Sequence, residues 1–205
     1  ALGVLRIIIE QRLALDLVGV LEVAAQNLAP QLGKTADTQE VREYIFERLR
    51  AYYQEQGINA EIVESVAALK PSQPLDFDQR VKAVSTFKHL PEAESLAAAN
   101  KRISNILRKV DSVIPSTVDI TLLQDSAEQA LFKAVAEQQQ IVQPLFAQGE
   151  YEKALTSLAA LRVPVDQFFD DVMVMDENMR LRDNRLALLN QLRGLFLQVA
   201  DLSVL

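Results

Sequence analysis

Apolar residues recur at helical spacing through most of the chain, and the longest such pattern lies near its end. Between residues 181 and 199 they share one face of a predicted helix, and they are Leu181, Leu188, Leu189, Leu192, Leu195, Phe196 and Val199. A face of this kind must dock on other helices. The segment 168–205 therefore predicts the packing spine of a helical domain, and the first turns of its helix carry Arg180, Arg182 and Arg185.

The same spacing predicts helices along the rest of the chain. They span residues 1–12, 16–29, 37–57, 59–69, 76–88, 94–110, 126–147 and 150–161, and a further short helix has Pro164 as its first residue. Asp16, Asp37 and Asn59 have the side chains of N-caps. Pro30 should end the second helix and Pro144 should interrupt or kink the helix 126–147, because proline lacks a backbone N–H.

Packing and topology follow from these elements. The positions of the helix 37–57 that should face the core are Val41, Tyr44, Ile45, Leu49 and Tyr52. Residues 111–125 form the longest irregular stretch, either a loop or one or two short extended pieces. The chain is expected to be an all-α bundle of roughly nine to eleven helices. We expect a single domain over residues 1–205, with the end of a preceding helical region as an alternative for residues 1–30.

Composition supports this class and limits the function. The 205 residues are 49% hydrophobic and include no cysteine, which allows a sizeable core and excludes disulfides and thiolate metal sites. The apolar stretch 2–9 is interrupted by Arg6 and is too short to cross a bilayer. We therefore expect a cytoplasmic protein without membrane association. Because the chain opens without Met and inside a helical pattern, a fragment of something longer is expected.

Catalytic chemistry is poorly represented. His89 is the only histidine, and no cysteine or suitably spaced serine and acid could form a nucleophile with its base. The adjacent Asp170 and Asp171 point in different directions on a helix, so they do not form a shared metal site. We expect no catalytic residue, no metal and no cofactor in this segment.

The net charge of −7 argues against a surface that coats nucleic acid, but it leaves room for local basic patches. The first patch lies on the predicted helix 94–110 and includes Lys101, Arg102, Asn105 and Lys109. Arg102, Asn105 and Lys109 share one face at three- and four-residue spacing. Two interpretations stay open: a solvated helix end whose cations complement the helix dipole, or a contact surface for phosphates or bases.

The second patch includes Asn178, Arg180, Arg182, Asn184 and Arg185. Cations near a helix start oppose the helix dipole, so local stabilisation explains these arginines less well. Arg185 lies at the edge of the apolar stripe, where a guanidinium needs a buried carboxylate or amide partner, and a structural ion pair is expected. For Arg180 and Arg182, a structural role and ligand contact are equally compatible with the sequence.

Six runs of sequence occur in a recognisable order. They are Ala1-Leu-Gly-Val-Leu-Arg-Ile, Phe77-Asp-Gln-Arg-Val-Lys-Ala-Val, Ala99-Asn-Lys-Arg-Ile-Ser-Asn-Ile-Leu, Phe168-Phe-Asp-Asp-Val-Met-Val-Met, Arg180-Leu-Arg-Asp-Asn-Arg-Leu-Ala-Leu-Leu and Ala200-Asp-Leu-Ser. Together they resemble the C-terminal region of the beta subunit of bacterial-type glycyl-tRNA synthetase. The resemblance extends over essentially the whole chain, and the combination is far more specific than any one run.

The resemblance implies a helical bundle of the class seen in arginyl-type anticodon-binding domains. It also implies a glycine-specific tRNA as partner, together with an alpha subunit that holds the ATP-dependent aminoacylation site. The segment would then be a noncatalytic anticodon recognition module of a glycine–tRNA ligase. From side-chain chemistry we predict tRNA-binding roles for Lys101, Arg102, Asn105, Arg180 and Arg182. The alternative is a noncatalytic helical module that holds subunits together.

Overall fold

The computed structural model describes residues 2–34 and 37–205, and every regular element in them is helical. Residue 1 of the predicted first helix lies outside the described residues. The α-helices are α1 Leu2–Glu10, α2 Leu17–Leu32, α3 Thr38–Glu55, α4 Ala60–Ala67, α5 Pro74–Phe87, α6 Ala93–Arg108, α7 Ser126–Ala147, α8 Tyr151–Leu158, α9 Arg162–Asp171 and α10 Met179–Leu197. Short 3₁₀ turns lie at Ile120–Leu122, Ala159–Leu161 and Leu202–Val204. The predicted all-α class is confirmed.

The chain divides into two compact units, Ala1–Lys82 and Ala83–Leu205. The boundary falls within α5. Two compact units can belong to one domain or to two. A single domain over residues 1–205, with residues 1–30 as the end of a preceding region, therefore stays a prediction.

In the unit 1–82, α3 packs against α1, α2 and α4. Its most buried aromatic residue, Tyr53, stacks on Phe77 with 5.9 Å between the ring centres. The Tyr53 hydroxyl donates a hydrogen bond to the buried Asp78 carboxylate over 3.2 Å. Burial raises the pKa of Tyr53 far above its usual range, and the Asp78 charge raises it further. Tyr53 therefore stays a neutral donor, which satisfies one oxygen of a buried carboxylate.

The inward face of α3 differs from the predicted one. Leu49 is fully buried as expected, whereas Val41 and Tyr44 are exposed and the prediction for them is wrong. Tyr53 and not Tyr52 is the fully buried aromatic residue of this helix, and Ile45 and Tyr52 are half-buried. Tyr44 consequently lies outside the core, with the Arg48 guanidinium 4.9 Å from its ring centre.

The predicted helix caps and the predicted effect of Pro30 in the same unit have mixed outcomes. Asp37 and Asn59 cap α3 and α4 as predicted, each accepting hydrogen bonds from backbone N–H groups of the first turn. Asp16 occupies the N-cap position of α2, but its side chain makes no capping hydrogen bond. The predicted end of α2 at Pro30 is wrong, since the helix continues to Leu32. It ends at Gly33, whose φ of +68° glycine adopts readily.

In the unit 83–205, α6 packs against α9, α10 and the turn at Leu202–Val204, while α7 packs against α8, α9 and α10. The predicted spine is confirmed, because all seven apolar positions of the stripe are buried. The largest fully buried side chains of this unit include Phe87, Leu96, Ile103, Leu131, Leu155, Leu158, Phe168 and Phe196. The α10 helix is thus enclosed by neighbours, and Arg180 in its first turn is its exposed cation.

Three local predictions in this unit are corrected or decided. Pro144 lies inside α7 without interrupting it. Pro164 is the third residue of α9 and not the first, because the turn at Ala159–Leu161 continues directly into the helix at Arg162. Residues 111–125 form a loop with one 3₁₀ turn and contain no strand.

Candidate nucleic-acid interface

The first basic patch lies on the exposed face of α6. Leu96 and Ile103 are fully buried and Ala99 nearly so, which fixes the rotation of the helix and leaves Lys101, Arg102, Asn105, Arg108 and Lys109 exposed. No acidic residue occurs between Glu94 and Asp111. The patch therefore combines four cations with one amide and includes no carboxylate of its own.

A shallow cavity of about 330 Å³ lies on this face. Its lining consists of Ala98, Lys101, Arg102, Asn105, Ile106 and Lys109. Ala98 and Ile106 are the apolar part of this lining, and the polar residues contribute hydrogen-bond donors. No carboxylate lines it, so the cavity suits an anionic or acceptor-rich group.

The guanidinium of Arg102 is held by an aromatic ring. Its central carbon lies 4.2 Å from the centre of the Phe169 ring, within the range of a cation–π contact. Phe169 in turn meets the fully buried Phe168 edge to face, with 5.6 Å between the ring centres. Arg102 is thus supported from the core through two aromatic residues of α9.

A second, smaller cavity of about 200 Å³ adjoins the first at Ala98 and Arg102. It contains the carboxylates of Asp166 and Asp170. Asp166 accepts a hydrogen bond from the Ser95 hydroxyl over 2.6 Å and pairs with Arg162 over 3.4 Å. These carboxylates disfavour phosphate in the smaller cavity, which leaves the larger one as the candidate site.

Asn105 has a defined amide orientation. Its Oδ1 accepts a hydrogen bond from the Arg108 guanidinium over 2.7 Å. Because a guanidinium carries donors only, the partner atom must be the oxygen of the amide. The Nδ2 group of Asn105 makes no hydrogen bond within the described residues.

The second basic patch lies at the start of α10. Asn178 caps the helix by accepting a hydrogen bond from the Arg180 backbone N–H over 3.0 Å. The Arg182 Nε lies 3.6 Å from an Asp183 carboxylate oxygen. The pKa of Asp119 is lowered by hydrogen bonds from Thr121 and also by the charge of Arg180. Both arginines consequently lie near a carboxylate.

Arg185 has the structural role expected of it. It is 4% exposed, and its guanidinium donates to Glu128, which is fully buried, to Asp176 over 2.8 Å and to Asp125 over 3.2 Å. The same guanidinium donates to the Met173 carbonyl over 2.9 Å. Burial alone would lower the pKa of Arg185, but Glu128 and Asp176 together raise it. The predicted ion pair is confirmed, and it ties the segment 172–178 to the start of α7.

Asn184 joins the irregular loop to α10. Its Oδ1 accepts from the Asp119 backbone N–H over 2.7 Å, and its Nδ2 donates to the Asp119 carbonyl over 3.0 Å. Asn184 is 4% exposed, so its amide is committed to this clamp. Within the second patch, Arg180 and Arg182 are therefore the members that keep exposed or half-buried cations.

The two predicted groups of site residues stay separate in terms of direct contacts. Lys101, Arg102 and Asn105 line one cavity. Within residues 2–34 and 37–205, no hydrogen bond, ion pair or ring contact joins them to Arg180 or Arg182. Sequence reasoning missed Phe169 as the support of Arg102. The signal that could have found it is the Phe168-Phe169 pair. Adjacent residues of a helix point in different directions, so only one of the two rings can face the core of the unit.

Two other kinds of site can be compared with the described part of the chain. No cluster of histidine, aspartate and glutamate has the arrangement of a metal site in that part of the chain. None of the helices described there is both long and apolar enough to cross a membrane. His89 is exposed after the end of α5.

Comparisons with known proteins match both units of the chain. The model of the Glycyl-tRNA synthetase beta subunit family matches residues 1–68, and the model of the DALR anticodon binding domain matches residues 96–202. The second match contains α10 and nearly all of α6, and hence all five predicted site residues. These matches confirm the resemblance to the glycyl-tRNA synthetase beta subunit that the sequence runs indicate.

Similar proteins include the glycine--tRNA ligase beta subunits of Marinobacter nauticus, 58% identical, Pseudomonas aeruginosa strain LESB58, 52% identical, and Shewanella oneidensis, 51% identical. Each match covers 100% of this chain and 30% of the relative. The chain thus spans about 30% of the length of these relatives. Since a family model matches more than half of its residues, the chain belongs to the DALR anticodon binding domain family.

Proposed function

We propose that this chain is the tRNA anticodon recognition module of a glycine--tRNA ligase beta subunit. In this proposal Lys101, Arg102 and Asn105 contact the anticodon loop of a glycine tRNA, and Arg180 and Arg182 contact it or the adjacent backbone. The chain itself contributes no catalytic residue. The alpha subunit of the ligase carries out ATP-dependent attachment of glycine to tRNA, and the assembly works in the cytoplasm.

The observation that carries the proposal is the absence of carboxylate partners for the cations of α6. In the unit 83–205, Lys133, Lys153, Arg162, Arg182, Arg185 and Arg193 all pair with aspartate or glutamate. Among the described residues, Lys101, Arg102, Arg108 and Lys109 make no such pair. Unpaired cations beside the apolar Ala98 and Ile106 suit an unstacked base and its phosphate.

Replacing Arg102 and Arg182 together with alanine tests the proposal. We expect binding of a glycine tRNA anticodon stem-loop to weaken by about tenfold or more, because a good side-chain contact to a base contributes about 1–3 kcal/mol. Fluorescence anisotropy at low salt measures the dissociation constant. Far-UV circular dichroism should show an unchanged helix content.

The matched control replaces Lys133 and Lys153 with alanine. This change removes the same charge from exposed residues of α7 and α8 that pair with Glu137 and Glu150. We expect it to leave the affinity within about twofold, since distant exposed charges are largely screened. Equal weakening by both double variants would mean that net charge, and not contacts of particular residues, explains the binding. An unchanged affinity of the first variant would mean that Arg102 and Arg182 do not belong to the site.

A second candidate function, subunit assembly, is favoured by exposed apolar side chains in the unit 1–82. The side chains that are more than half exposed include those of Val4, Ile7, Val23, Leu32 and Tyr44. Such side chains are typical of helices that meet further protein. A chain that bound the alpha subunit of a glycine--tRNA ligase but no anticodon stem-loop would support assembly over tRNA recognition.

A further inference from the structure

Arg102 offers a preorganised platform for a flat group. Its guanidinium lies against the Phe169 ring and borders the cavity of α6. A guanidinium fixed in this way loses little side-chain entropy when a base stacks on it, because the aromatic contact already restrains its plane. Lys101 and Lys109 line the same cavity and supply charge for the phosphates of that nucleotide.

The hydrogen bond between Arg108 and Asn105 decides what the site can read. With Oδ1 occupied by Arg108, the Asn105 side chain presents Nδ2, which is a donor. The other polar groups that line the cavity, those of Lys101, Arg102 and Lys109, are also donors only. The one side-chain acceptor that lines the cavity, Asn105 Oδ1, is therefore already engaged by Arg108, and the other polar groups are donors.

We propose that Asn105 is a specificity-determining residue that selects an unpaired base with two neighbouring acceptors on one edge, and that Arg108 is its positioning residue. Cytosine presents N3 and O2 in this way, and guanine presents O6 and N7. Uracil places an N–H donor beside each carbonyl, and adenine places its amino donor beside N7. A site whose single acceptor is already engaged and whose other groups are donors disfavours both, because a donor would face a donor. This inference rests on the proposed function, since it assumes that the cavity receives a tRNA base.

Three variants with the same change in charge separate base selection from phosphate attraction. Asn105→Asp converts the donor into an acceptor, Arg108→Met releases the amide, and Lys109→Met removes a neighbouring charge without touching the amide. Each variant of the full chain lowers the net charge by one unit. All three side chains are exposed, so the substitutions spare the core.

The probes are a glycine tRNA anticodon stem-loop and a series in which one loop cytosine at a time becomes uracil or one loop guanine becomes adenine. We expect the unaltered chain to lose about 5- to 150-fold in affinity at one loop position, because an unmatched base edge costs about 1–3 kcal/mol. Asn105→Asp and Arg108→Met should reduce this ratio to within about threefold of unity. Lys109→Met should weaken binding to every probe and retain the ratio.

Three results would overturn the inference. Retention of the ratio by Asn105→Asp and Arg108→Met would mean that the amide does not read the base. Binding of the unaltered chain without discrimination at any position would remove base selection while leaving the proposed function in place. Failure of the unaltered chain to bind the stem-loop at low salt would overturn the proposed function, and the inference with it.

Discussion

Replacing Arg185 with methionine is expected to lower the free energy of unfolding by about 3–5 kcal/mol. The guanidinium pairs with Glu128, which is fully buried, and also contacts Asp176 and the Met173 carbonyl. Methionine retains much of the side-chain volume but leaves the Glu128 carboxylate buried without its partner. Breaking a buried pair on one side is costly for this reason. Urea denaturation followed by circular dichroism measures the change.

Arg193→Met is the matched control for this prediction. Arg193 lies on the same helix and pairs with Asp201 over 3.3 Å, but both side chains are partly exposed. Water can solvate the remaining carboxylate, so the expected loss is about 1 kcal/mol or less. Equal losses for Arg185→Met and Arg193→Met would contradict the view that Arg185 is the electrostatic anchor of the segment 172–178.

Phe168→Ala is expected to destabilise the unit 83–205 by about 3–5 kcal/mol, the usual range for a fully buried aromatic residue. Phe168 is completely inaccessible to solvent and meets the Phe169 ring, on which Arg102 rests. The substitution should therefore also weaken anticodon stem-loop binding at temperatures where the variant remains folded. The midpoint of thermal unfolding and the stem-loop dissociation constant are the two measurements.

Phe132→Ala provides the comparison, because Phe132 lies on α7 of the same unit and is only half-buried. We expect a smaller loss of stability and no change in stem-loop affinity. If Phe168→Ala destabilised the chain without affecting the affinity of its folded form, Arg102 would not depend on the two phenylalanine residues for its position. A loss smaller than that of Phe132→Ala would contradict the assigned core.

The fold was predictable from the sequence wherever a local pattern decides it. The apolar stripe of α10 repeats over five turns, so its buried face could be assigned without knowledge of its neighbours. The face of α3 could not be assigned in this way. Aromatic and apolar residues occur on more than one side of that helix, and only contact with Phe77 shows that Tyr53 is the buried one.

The candidate site was predictable in its residue types but not in its contacts. An arginine at the edge of the stripe required a carboxylate partner, and the sequence indicated that much for Arg185. The identity of the partner, Glu128, depends on the packing of α7 against α10, which no local pattern reveals. The support of Arg102 by Phe169 joins residues on different helices in the same manner. Tertiary packing decides which residues form such pairs, so the spacing of residues along the chain cannot predict them.

A footprint of this chain on glycine tRNA tests anticodon recognition most directly. The proposed function predicts protection from nuclease cleavage concentrated in the anticodon loop, absent from a noncognate tRNA at the same concentration, and strongly reduced when Arg102 and Arg182 are replaced with alanine. Equal protection of both tRNAs, or protection located away from the anticodon loop, would contradict it.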